Sequence, residues 1–198
     1  MSTKVEICNL ALNNIGVRSI TSVSELSEAA RRCAIVWQPA IDAVLSEHDW
    51  NFATKIEALA LISGETIPGW DYVYAYPANC LNPLKVLEAE FDKDSPINDF
   101  EIIVAPLTHV KAIATNVETA YLRYVSTVSD ETLYSPAFVE AVTYKLAGML
   151  AQPLTKNTQL AISMMNIYNS LIAKAKAQNK NEGTAQPEPT SSYIDARG

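Results

Sequence analysis

Between residues 48 and 81 the apolar pattern of this chain changes period, and that change limits what it can fold into. Before it, Ala30, Cys33, Trp37, Ile41, Val44 and Leu45 fall on one stripe of a helix. After His48-Asp49-Trp50-Asn51-Phe52-Ala53 the period drops to two. In Trp70-Asp71-Tyr72-Val73-Tyr74-Ala75-Tyr76-Pro77, aromatic residues alternate with small or polar ones. Side chains on a strand point to opposite faces in turn, so Trp70, Tyr72, Tyr74 and Tyr76 are predicted to share one face. So many aromatics on one face imply a large buried surface, within the subunit or against a neighbour. Trp50, Phe52, Trp70, Tyr74 and Tyr76 are therefore the expected core and interface residues.

Helical spacing of Val5, Cys8, Leu12 and Ile15 predicts a first helix over 3–15, stopped by Gly16. A second begins after Ser24 or Ser27, either of which can cap it, and ends near 47–49 with a kink at Pro39. Alternation and Gly/Pro punctuation predict strands over 54–62, 70–75, 84–90, 101–104 and 110–115. The segment 117–125 fits strand or helix, with 120–124 the candidate strand. Ser135-Pro136 starts a third helix, which Pro153 is expected to end, and a fourth runs from 156 or 158 to 179. The expected fold is α+β, mainly α: a four-helix body from 3–50 and 135–180, a β-rich insertion at 54–126 and an extended C-terminal tail at 181–198. The tail is too polar and proline-rich to build a core, yet carries Tyr193, Ile194 and Arg197 near its end.

The net charge of −7 argues against tight phosphate binding by the body, since a nucleic-acid reader usually presents a basic patch. An acidic surface that DNA passes without sticking remains compatible with it. Charged residues are only 19% of the chain, so part of the surface is expected to be hidden in an assembly. Three cysteines without a CxxC pair point to free thiols in a reducing compartment. No apolar run approaches the roughly 20 residues of a membrane span, and the N-terminus lacks a signal-peptide core.

Catalytic and metal-binding patterns are sparse. The two histidines, His48 and His109, lie in no HxxxH or HExxH motif, and no GxGxxG, GKS/T or GxSxG run occurs. Around Asp92 and Asp94 the calcium-loop pattern fails, with Pro96 and Ile97 where the loop needs flexibility and a glycine. Glu47 and Asp49 stand two positions apart at a helix end, where their side chains diverge, which is poor geometry for a glycosidase pair. The expectation is no catalytic residues, no cofactor and no metal.

The ordered motifs resemble the tail tubular protein A family of short-tailed phages. The likeness is carried by Glu6-Ile7-Cys8-Asn9-Leu10-Ala11-Leu12 with Ile15-Gly16, by Ser27-Glu28-Ala29-Ala30-Arg31 and Cys33, and by His48 with Trp50-Asn51-Phe52-Ala53. It continues through Trp70, Tyr74-Ala75-Tyr76-Pro77 and Cys80-Leu81. It ends in Phe138-Val139-Glu140-Ala141, Leu146-Ala147, Pro153-Leu154-Thr155 and the closing Tyr193-Ile194-Asp195-Ala196-Arg197. The chain departs from the family at Asp49, where proline is usual, at Asn79, where an acid is usual, and at Tyr76, which abuts Pro77 directly. The resemblance implies a structural virion protein of the tail or neck, made in the host cytoplasm. It implies a head-to-tail adaptor ring, typically a dodecamer, that joins the portal protein to the tail nozzle (tail tubular protein B) and forms part of the DNA ejection channel. DNA would pass through the lumen without specific binding, no membrane would be involved, and Tyr193, Ile194 and Arg197 would dock on the portal. The alternatives are a phage-associated peptidoglycan-degrading enzyme and a glycan-binding or nucleic-acid-binding module built on the aromatic strand.

Overall fold

The computed structural model describes residues 3–88 and 98–182. Helix α1 (Lys4–Asn14) starts where Thr3 and Glu6 cap each other, each side chain accepting the other's backbone N–H. It ends ahead of Gly16, whose φ of +72° a side chain would strain. Ser27 caps α2 (Glu28–Glu47) by accepting from the Ala30 amide at 3.1 Å. Pro39 lies inside this helix without ending it. Ser135 caps α3 (Pro136–Thr155), with proline at its first position, where the missing donor costs nothing. The helix passes through Pro153 and stops only at Lys156, which takes the left-handed conformation at φ +57°. A proline so near a C-terminus removes one bond of the last turn, too little to end the helix there. Asn157 then caps α4 (Thr158–Glu182), accepting from the Leu160 amide at 3.0 Å. Residues 181 and 182 thus belong to a helix and not to a tail.

Among the described residues, six strands form two antiparallel sheets of three. In the first, β6 (Tyr121–Ser126) lies between β1 (Thr54–Ala58) and β3 (Cys80–Leu87). In the second, β5 (Lys111–Thr115) lies between β2 (Tyr72–Ala75) and β4 (Phe100–Val104). The ambiguous segment near 120 is therefore a central strand. The β3–β6 register shifts around Pro83, which has no amide to give to the ladder.

The expectation of a mainly helical, four-helix body is corrected by this arrangement. Among the described residues four helices stand beside two three-stranded antiparallel sheets, which makes a more evenly balanced α+β fold. α1, α2 and α4 each make their most extensive contact with α3, and α2 also packs on β3 and β6. Val125 of β6 enters the helical core, and Leu81 and Leu84 of β3 pack against it. Periodicity says which face of a helix is buried but not what buries it. A helix stripe can be covered by a strand as well as by a helix, and here part of it is. The tail residues Tyr193, Ile194 and Arg197, and Glu90, Asp92 and Asp94 of the acidic stretch, lie outside the described residues.

Candidate functional site

Where α2 gives way to β1, a 3-10 turn (Asn51–Ala53) sets Trp50 and Phe52 against the start of α3. Trp50 is 5% exposed and donates its indole N–H to the Val44 carbonyl at 2.9 Å. Its ring meets Phe138 edge-on, with centroids 5.1 Å apart and planes at 81°. Phe52 and Tyr134 also pack on Phe138, at 5.0 and 4.7 Å, and His48 stands edge-on to Trp50 at 4.8 Å. Such geometry places the positive edge of one ring on the negative face of another. Burial lowers the His48 pKa, outweighing the nearby Asp49 carboxylate, which acts to raise it. Each aromatic hydrophobe of this joint was readable as apolar. That residues 48–52 meet residues 134–138 was not.

The aromatic strand divides. Tyr72 and Tyr74 share one face of β2, with Tyr74 opposite Ile113 of β5, and Tyr76, just past the strand, packs against the same cluster. Tyr74 is 2% exposed, and its hydroxyl lies 2.8 and 2.6 Å from the carbonyls of Val117 and Glu118. Tyr76 is half-buried and carries the Lys111 ammonium 3.6 Å from its ring centroid. Burial, reinforced by Cys80, raises its phenol pKa. Trp70 is outside the strand, in a turn closed by the Ile67–Trp70 bridge with Gly69 at φ +89°. Its indole N–H donates to Glu101 at 3.2 Å. Tyr124 of β6, which the spacing left ambiguous, is wholly buried. Its hydroxyl donates to Glu57 at 2.6 Å and lies 3.0 Å from the Asn79 side-chain oxygen. Burial, then Glu57, pushes its pKa up to about 12.

The remaining candidates are spread apart. Glu47 pairs with Lys145 at 3.5 Å, and Lys145 also covers the Tyr168 ring at 4.5 Å. His109 sits in a hairpin loop at φ +55°. Cys8 and Cys33 are buried side by side between α1 and α2, and their mutual hydrogen bond, with burial, pushes the Cys8 thiol up. Among the described residues no group of three His, Cys, Asp or Glu side chains is placed to hold a metal ion. Among them, too, no helix is long and apolar enough to cross a membrane.

One groove has a shape that can receive something. It has a volume of about 530 Å³ and runs between α1 and the start of α3. Leu10, Pro136, Val139 and Tyr144 are among its apolar lining, and Glu131 and Glu140 among its polar lining. Several of its polar groups are already engaged. The Tyr134 hydroxyl donates to the Val128 carbonyl, the Thr143 hydroxyl to the Val139 carbonyl, and Glu131 accepts from the Lys4 amide. What is left facing outward is mostly apolar, which suits a side-chain anchor better than a polar small molecule. Sequence reasoning missed this groove. Its signal is Leu10, an apolar residue lying off the buried stripe of α1 and 47% exposed.

No family model matches the chain, and no curated protein matches it.

Proposed function

We propose that this protein is a structural adaptor of a short-tailed phage, a ring of copies set between the portal protein and the tail nozzle. One observation carries the reading beyond the sequence resemblance: the residues that bear the resemblance act as joints of the fold. Trp50 and Phe52 fix the exit of α2 against Phe138, Tyr74 ties the loop at 117–118, and Tyr76 packs beside Cys80 and under Lys111. Their polar atoms hold the chain's own backbone and neighbours, as a protein whose task is shape requires. The net charge of −7 supports a channel wall along which DNA slides without adhering.

In this reading the portal contact includes the C-terminal residues Tyr193, Ile194 and Arg197. Apolar burial contributes roughly 1.5–3 kcal/mol per large side chain, and an arginine adds charge-assisted bonds to partner carboxylates. The test is electron microscopy and light scattering of the purified chain mixed with the cognate portal. A ring seated on the portal is the expected result, weakened or lost when residues 183–198 are deleted. Absence of any complex with the portal ends the adaptor reading.

A further inference from the structure

Cys8 and Cys33 have no part in the adaptor reading, yet their placement is specific. Lys4 and Cys8 stand one turn apart on α1, and Cys33 and Trp37 stand one turn apart on α2. The Lys4 ammonium lies 5.0 Å from the Trp37 ring centroid, and the Cys8 thiol is hydrogen-bonded to Cys33. Those two contacts set the helices antiparallel along this seam. The same register carries Ala11 to Ala30 about one turn further on, and both alanines are fully buried. A disulfide needs Cβ atoms about 3.5–4.5 Å apart, and side chains as small as alanine beside the thiol pair let the two backbones come that close.

The three cysteines differ in setting. The hydrogen bond from Cys8, aided by the Lys4 ammonium, holds the Cys33 pKa below the ordinary thiol value, although burial acts to raise it. Burial raises the pKa of Cys80, which belongs to the cluster around Tyr74 and Tyr124 and not to the helical core. One thiol is therefore activated, a second touches it, and the third is out of reach. α1 and α2 each lean chiefly on α3, so a bond between them ties together two elements that share only a narrow seam.

We infer that Cys8 and Cys33 form a redox latch, free thiols while the chain is made and a disulfide joining α1 to α2 once a peroxide reaches them. The latch goes beyond the adaptor reading and does not depend on it; in that reading it closes after the particle leaves its host. The Cys33 thiolate attacks one oxygen of hydrogen peroxide. The O–O bond breaks, the sulfur becomes a sulfenic acid, and the departing hydroxide takes up the proton released by the thiol as water. The Cys8 sulfur then attacks the sulfenic sulfur, and its S–H proton leaves with the hydroxyl group as a second water. The two thiols give up two electrons in all, and the peroxide accepts them. Hydrogen peroxide is close to water in size, so brief local opening of the N-terminal helix admits it.

The experiment treats the purified full-length chain with hydrogen peroxide and removes the excess with catalase. The remaining thiols are alkylated in denaturant, and tryptic peptides are mapped by mass. The expected product joins peptide 5–18 to peptide 33–55, two hydrogen atoms lighter than their sum, with Cys80 the one cysteine of three still alkylated. The melting temperature is expected to rise by about 5–10 °C and to return on reduction. In Cys8→Ser the link is absent, and Cys33 is expected to proceed to sulfinic and sulfonic acids. Three alkylated cysteines, a link that includes Cys80, or sulfinic and sulfonic acids in place of the 8–33 link in the parent chain overturns the inference. A disulfide that leaves the melting temperature unchanged or lowers it also overturns it, because a latch must hold the fold more tightly when closed. Portal binding, measured separately, reports on the adaptor reading alone.

Discussion

In the helical part of the molecule, side chains from all four helices join one continuous core, where Ile7, Leu12, Ile41, Leu45, Phe138, Leu146 and Leu150 are sealed from water. In the sheet part, two smaller clusters lie on the two faces of the β2–β5–β4 sheet, and tyrosine hydroxyls and one carboxylate tie the loops. The first region is held by area removed from water, the second more by specific hydrogen bonds on a thin apolar layer. Burial makes a region stable without regard to direction, whereas hydrogen bonds fix the position of a loop.

The contrast can be broken most directly at Trp50. Trp50→Ala removes a buried indole, its edge-on contact with Phe138 and its bond to Val44, and is expected to cost about 3–5 kcal/mol. Thermal melting checks it: an unchanged midpoint would show that the aromatic joint is not part of the stabilising core. In the sheet region, Tyr74→Phe keeps the ring and removes only the hydroxyl, leaving the Val117 and Glu118 carbonyls one donor short. The expected cost is about 1–2 kcal/mol. Amide exchange is expected to rise around 116–120 and to stay low in α3, and a uniform rise would erase the proposed division of labour.

A smaller effect is expected at Gly148, where a Cβ would come within 2.6 Å of the Met165 sulfur of α4. Alanine there gains up to about 1 kcal/mol of helix propensity. Displacing a flexible methionine offsets it, so Gly148→Ala is expected to lie within about 1 kcal/mol of the parent in denaturant unfolding. A loss of several kcal/mol would show that α4 is held more rigidly than that side chain suggests.

Acid is expected to reach the two regions in order, with the smallest effects of the set. Folding favours the neutral form of His48, so as pH falls below its ordinary 6.5 the unfolded chain takes up the proton first. Stability is lost in that window, and His48→Gln is expected to flatten the loss of melting temperature between pH 7.5 and 5.5. Burial acts to raise the Glu65 pKa, but hydrogen bonds from Thr108 and Leu107 outweigh it and hold the carboxylate below its ordinary 4.5. Its contribution is present above 4.5 and disappears as pH falls through the lower folded value. Exchange at Leu107 and Thr108 reports it, and equal acid sensitivity of the two sites from pH 6.5 downward would contradict the order.

Much of the local structure was legible because it is written in neighbouring residues. Ser27, one of two caps open for the second helix, and Ser135-Pro136 carry their capping chemistry within three positions, and those helices start there, whereas the first helix was placed from its apolar spacing and its Thr3–Glu6 capping box went unread. The alternation around Tyr72–Ala75 is likewise local. What failed depends on distance. Nothing near Trp50 names Phe138 as its partner, and nothing near β6 says that it lies between β1 and β3. Trp70 keeps the parity of the strand but not its place, because Gly69 turns the chain just before it. The groove had a signal in Leu10, an exposed apolar residue off the buried stripe of α1, which a search for periodic patterns passes over.

The packing of α1 on α3 also sets an order in time. The Lys4 amide donates to Glu131, 127 positions later, at 3.0 Å. A ribosome adding about 5–20 residues per second takes on the order of ten seconds to make that stretch. For that interval the newly made first helix has no α3 to cover Ile7, Cys8, Ala11 and Leu12. A nascent chain terminated before residue 131 keeps that face bare, and is expected to aggregate or be degraded where the complete chain folds.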